Sequence, residues 1–109
     1  MTLLHQQLTA EHWQELSFFE QMANIGSEVG RAINWSAKDH ERSLKAAERA
    51  LELLDLTLAD QRHKTRFKEI ARTREALVDY FWGKNEYSSS AKQWNSYFYP
   101  FNYAARINR

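Results

Sequence analysis

The sequence predicts an all-α fold, an up-down four-helix bundle with a short, proline-bent fourth helix, and three observations carry that expectation. Two long stretches, Thr9 to Trp35 and Ser36 to Ala59, set apolar and small residues on one face and charge on the other at the helical period. A third such stretch follows a polar connection, and a fourth, rich in aromatics, follows a loop. The connections are mostly short, which favours antiparallel neighbours over a solenoid or an open hairpin.

The first helix is expected to start at Thr9, whose hydroxyl can cap the following turn, although His12 stands where a capping box wants Glu or Gln. At about 100° per residue, Phe18, Phe19, Met22, Ala23, Ile25, Gly26, Val29, Gly30 and Ile33 share one arc, and Glu20, Gln21, Asn24, Glu28 and Arg31 the opposite one. Glycine inside a helix costs about 1 kcal/mol against alanine. Gly26 and Gly30 therefore imply close approach by another helix, with a small-ligand niche as the alternative.

Ser36-Ala-Lys-Asp39 has the form of a capping box and starts the second helix, in which Leu44, Ala47, Ala50, Leu51, Leu54 and Leu58 repeat at three and four. Asp60 to Thr65 reads as a connection or a frayed first turn. Phe67, Ile70, Ala71, Leu77, Val78 and Phe81 line the third helix, Gly83 is expected as its left-handed cap, and Lys84 to Ser90 as a loop. From Ser90 onward Trp94, Phe98 and Phe101 align, but Pro100 lacks a donor and disfavours helix at Tyr99, so it should kink or divide the last stretch.

A chain of 109 residues suits one domain, spanning 1 to 109, with a core large enough to fold without cross-links. With no cysteine, disulfide scaffolds, thiolate zinc sites and cysteine nucleophiles are excluded together. Met1 to Gln7 holds no basic signal-type region, and no segment approaches the roughly 20 apolar residues that span a bilayer. The expectation is a soluble, cytoplasmic protein with no membrane partner. Residues 1 to 58 carry five Lys/Arg against nine Asp/Glu, whereas residues 59 to 109 carry ten against five. Acidic and basic helices lying side by side account for this asymmetry, and an electrostatic footprint for nucleic acid is the competing reading.

Chemistry-bearing motifs are sparse. His5, His12, His40 and His63 offer no pair at i, i+3 or i+4, so no metal site is expected, and the three glycines form no phosphate loop, so no nucleotide cofactor is expected. Glu15 and Arg74 fall in the middle of apolar arcs, with His40 and His63 on inward arcs near helix ends. Paired or snorkelling charges explain them most simply. A polar pocket of Glu15, Arg74, His40 and His63, holding an anion or moving a proton, is the functional alternative.

The segment Arg62-His-Lys-Thr-Arg-Phe-Lys68 offers Arg62, Lys64, Arg66 and Lys68 as candidate nucleic-acid contacts. Its cations spread around the helix and are interrupted by Glu69, Glu75 and Asp79, unlike the continuous stripe that phosphates favour. Six aromatics lie between Trp94 and Tyr103. They either close the core or, through Trp94, Tyr97, Tyr99 and Tyr103, form a self-association patch.

The segments Asn24-Ile-Gly-Ser-Glu-Val29 with Ala32 and Trp35, Glu48 to Thr57, and Asp79-Tyr-Phe-Trp-Gly-Lys-Asn-Glu-Tyr87 resemble a family of small uncharacterised prokaryotic helical proteins. More distantly, the first two helices, with the Ala/Glu/Leu run Lys45 to Leu56, resemble HEPN-like bundles of toxin–antitoxin and nucleotidyltransferase-partner proteins. Catalytic members of that group carry Arg, four to six residues, then His, and no arginine stands so ahead of His40 or His63. The resemblance thus implies a binding role without ribonuclease activity. The sequence as a whole is read as a non-enzymatic helical interaction module whose partner is a protein or a second copy of itself. The alternative is an HEPN-like, RNA-linked protein acting through the basic third helix.

Overall fold

The computed structural model describes residues 10–107, and all regular structure among them is helical. Helix α1 spans Phe18–Trp35 and α2 spans His40–Leu58; a 3-10 helix covers Gln61–Arg66, α3 Phe67–Trp82 and α4 Ala91–Ile107. Thr9, the expected first cap, and His5 lie outside the described residues. No helix among those described is long and apolar enough to cross a membrane.

The first helical stretch is not continuous. A short helical turn at residues 10–13 ends in a tight turn through residues 14–17, and α1 begins afresh at Ser17. The cause is a complete capping box: the Glu20 N–H donates to Ser17 Oγ at 3.1 Å, and the Ser17 N–H donates to Glu20 Oε1 at 3.0 Å. That start satisfies two orphan donors at once. The start of α2 differs from the expected one. Asp39, not Ser36, is the N-cap of α2 and accepts from the Arg42 N–H at 3.1 Å, while Ser36 closes α1 by donating to the Ile33 carbonyl at 2.7 Å.

Helix α1 is the spine of the molecule, packed along both α2 and α4, and α3 packs on α2. Met22, Ile25, Val29, Leu54, Ile70 and Leu77 are fully buried. Each such side chain contributes about 1.5–3 kcal/mol relative to exposure. The buried face of α2 is rotated from the expected one, onto Ser43, Ala46, Ala47, Ala50, Leu53, Leu54 and Thr57, leaving Leu44, Leu51 and Leu58 half-buried. Small residues bring α1 and α2 together, and the Ser43 hydroxyl donates to the Ala32 carbonyl at 2.7 Å across that seam. Phe67, expected inside, is exposed, and Thr73 takes an inward position of α3 instead.

The glycines divide. A Cβ at Gly26 would lie 2.8 Å from Phe98, so this position admits α4, whereas a Cβ at Gly30 would meet nothing within 4 Å. Gly83 is extended, at φ −100° and ψ −159°, and is not a left-handed cap. A Cβ there would come within 2.9 Å of the Asp79 carbonyl, so close backbone approach explains this glycine. The left-handed residues are Asn85 and Ser88, in the loop that the Asp79 carboxylate holds by accepting from the Glu86 and Tyr87 N–H groups at 2.9 and 3.0 Å.

Helix α4 is neither short nor divided. Its 17 residues run through Pro100 without interruption. Proline removes one backbone hydrogen bond. The packing of Trp94, Phe98 and Phe101 on both sides of it holds the helix regardless.

Candidate functional site

The four residues of the expected polar pocket do not converge. Glu15 lies in the turn before α1, exposed, with its carboxylate 3.6 Å from His12 Nδ1. The restart at Ser17 resets the helical phase and removes Glu15 from the inward arc. Arg74 donates to Asp55 Oδ1 at 2.7 Å and Oδ2 at 3.3 Å in a surface ion pair between α3 and α2. Such a pair contributes about 1 kcal/mol or less. His40 is exposed at the start of α2, and only His63 is buried.

His63 belongs instead to a polar cluster that tethers residues 13–16 to the 3-10 helix. Asp60 caps that helix by accepting from the Arg62 N–H at 3.0 Å, and the Arg62 side chain returns to it, Nε to Oδ1 at 3.0 Å and the terminal nitrogen to Oδ2 at 2.5 Å. The same guanidinium donates to the Leu16 carbonyl at 2.8 Å. Gln21, wholly buried on α1, donates to the Trp13 carbonyl at 2.8 Å and to Asp60 Oδ2 at 3.3 Å. His63 Nε2 lies 3.0 Å from Gln21 Oε1 and 3.4 Å from Asp60 Oδ2. Both neighbours are acceptors, so Nε2 carries the ring proton. The Trp13 indole N–H completes the set by donating to Thr57 Oγ1 at 2.9 Å, and that hydroxyl donates to the Leu53 carbonyl at 2.9 Å.

Arg62 holds the Asp60 carboxyl well below the usual carboxylate range, and burial pushes the His63 imidazole down. A neutral histidine beside a carboxylate resembles half of a catalytic set, yet Asp60 is committed to Arg62 and the Thr57 hydroxyl to the backbone. The cluster therefore binds the chain to itself. Gln21 and Asp60 were missed from the sequence because Gln21 sits on the arc assigned to solvent. The signal available was an Asp followed two residues later by Arg at a helix start.

Two of the four candidate nucleic-acid contacts are engaged elsewhere. Arg62 is bound to Asp60, and Arg66 lies 4.3 Å over the Phe18 ring and 3.5 Å from Glu69. Lys64 and Lys68 are exposed and meet no carboxylate among the described residues. The aromatic candidates also separate. Trp94 is buried and Tyr97 half-buried, its hydroxyl 3.1 Å from Thr73 Oγ1, whereas Tyr99 and Tyr103 are 67% and 58% exposed. Ile107, 61% exposed, continues their line at the next i+4 position.

Two concavities flank this framework. A groove of about 860 Å³ crosses Ala23, Ser27 and Arg31 of α1 and reaches Arg49 of α2 and Asn102 and Arg106 of α4. Its Arg31 is paired with Glu28 and its Arg49 with Glu52. A second, of about 500 Å³, lies between α3 and α4. Among the described residues no three His, Cys, Asp or Glu side chains are grouped to hold a metal ion. No family model matches this chain, and no curated protein and no solved structure matches it either.

Proposed function

We propose that this chain is a non-enzymatic helical interaction module, an up-down four-helix arrangement that associates with a second copy of itself through the outer face of α4. The observation that carries the reading is the stripe Tyr99, Tyr103 and Ile107, three large side chains more than half exposed on successive turns of one helix. Exposed aromatic and aliphatic side chains on successive turns of one helix face are the anchors that helix-to-helix association uses. The stripe is also self-complementary. Two α4 helices crossing antiparallel at Tyr103 set Tyr99 against Ile107 of the second copy, the isologous contact of a two-fold dimer. Lys92 and Arg106 are the charged residues of α4 and no acid accompanies them, so the paired faces repel weakly at low ionic strength.

The sign of the salt response separates this reading from an RNA-linked one through Lys64 and Lys68. A stripe dimer strengthens as salt screens the cations, whereas phosphate binding weakens as counterions compete. Sedimentation of the wild type and of the Tyr99→Ser, Tyr103→Ser double variant, at low and high salt, tests it. Both rings are outside the core, so the variant keeps its fold and melting temperature while losing the dimer. A wild type that stays monomeric at high concentration contradicts the proposal. RNA retention lost on adding salt favours the alternative.

A further inference from the structure

The cavity between α3 and α4 is bordered by hydrogen-bond donors that no protein acceptor answers among the described residues. The two helices barely touch: the Thr73 and Tyr97 hydroxyls meet at 3.1 Å, and the Tyr80 ring leans on Trp94 at 6.3 Å between centroids. Between them Thr73, Ala76, Trp94 and Tyr97 form the wall, with Glu69, Arg72, Ser89 and Gln93 toward the rim. The volume of about 500 Å³ falls within the range typical of small-molecule sites, roughly 300–1,000 Å³.

The Trp94 indole N–H is buried and meets no acceptor among the described residues. A buried donor left unpaired costs about 1–3 kcal/mol. Arg72 has no carboxylate partner there, because Glu69 faces Arg66 and Glu75 accepts from the Tyr87 hydroxyl at 3.1 Å. Gln93 uses its carbonyl oxygen to accept from the Ser90 N–H at 3.0 Å, which leaves its amide nitrogen over. The Thr73 hydroxyl spends its proton on the Glu69 carbonyl at 2.9 Å, so Tyr97 donates to Thr73 and the pair is closed. The groups without a protein acceptor among the described residues thus include a buried indole N–H and, exposed at the rim, a guanidinium and an amide NH₂; the Ser89 hydroxyl can donate or accept, and the Glu69 carboxylate beside them is turned to Arg66.

We infer that this cavity binds a small planar carboxylate, its ring lying along Ala76, Trp94 and Tyr97 and its carboxylate received by Arg72 and Gln93 at the rim. The Trp94 indole nitrogen has no surface open to the cavity, so it reports occupancy through its ring and not by bonding the ligand. The site is separate from the Tyr99 and Tyr103 face, and binding and self-association stand or fall independently.

The test follows the indole N–H resonances of the full chain by NMR, with Trp94→Phe assigning the relevant one, during titration with benzoate and 2-naphthoate. Benzyl alcohol serves as the uncharged counterpart. A saturable shift of the Trp94 resonance by the carboxylates is expected, with little response to the alcohol. Arg72→Gln, an exposed change that leaves folding intact, should weaken the apparent affinity about tenfold, the loss of one charge-assisted hydrogen bond. Ala76→Leu should fill the cavity and abolish the shift. Absence of a saturable shift with both carboxylates, an equal response to benzyl alcohol, or an unchanged affinity in Arg72→Gln overturns the inference.

Discussion

Trp13 and Trp94 are buried to nearly the same degree, 4% and 6% exposed, yet the first indole donates to Thr57 and the second donates to nothing among the described residues. Around Trp13 every strong polar group is answered: Gln21, Asp60, Arg62, His63 and Thr57 satisfy one another and the backbone of residues 13–16. Around Trp94 the helices stand apart, and the Arg72 guanidinium and the Gln93 amide nitrogen meet no protein acceptor among the described residues. A closed network stabilises and specifies its own region. An open set of donors beside a cavity leaves binding capacity for something else.

The largest expected effect comes from breaking the closed region. Asp60→Ala removes the cap of the 3-10 helix and one partner each from Gln21, Arg62 and His63, and should lower stability by about 2–3 kcal/mol, below the full cost of an orphaned buried ion because Arg62 is half in water. Acid should do the same reversibly. His63 has a pKa lowered below its ordinary 6.5, so its contribution is complete above 6.5 and declines as pH falls below that value; Asp60, lowered from 3.8, adds its loss below 3.8. Denaturant titrations across pH, repeated on His63→Gln, should show the upper of these two phases vanish in the variant.

A smaller effect sharpens the comparison along α1. Gly26→Leu drives a side chain into Phe98 and should cost about 1–3 kcal/mol. Gly30→Ala adds a methyl group to open space within a helix, and should stabilise by up to about 1 kcal/mol. Opposite signs for two glycines one turn apart, read by thermal melting, check that only the first admits α4.

Helix content was legible in the sequence because periodicity survives small errors of phase; inward residues were not, because they depend on it. Reading helix through Leu16 carries Glu15 inward, which the capping box Ser17-Phe-Phe-Glu20 corrects, whereas Gln21 is set outward on its polarity although it stands at helical spacing from Phe18 and Ile25. The α2 face was displaced for a related reason. Ser43 and Thr57 look polar in isolation, but each hydroxyl bonds a backbone carbonyl and so enters the core at little cost. Pro100 was given too much weight, since the surrounding ring contacts of Phe98 and Phe101 override one missing bond. The cavity had no sequence signal, because Thr73, Ala76 and Trp94 are brought together only by how α3 and α4 are set apart.

The contrast between the two indoles is tested most directly by making the same substitution in both. Trp13→Phe and Trp94→Phe remove similar volume from equally buried positions, but only the first breaks a hydrogen bond, so its stability by denaturant titration should fall further by about 1 kcal/mol. An equal loss in the two variants, or a greater loss at Trp94, would contradict the account, because it would mean that the Trp94 N–H is answered as fully as that of Trp13.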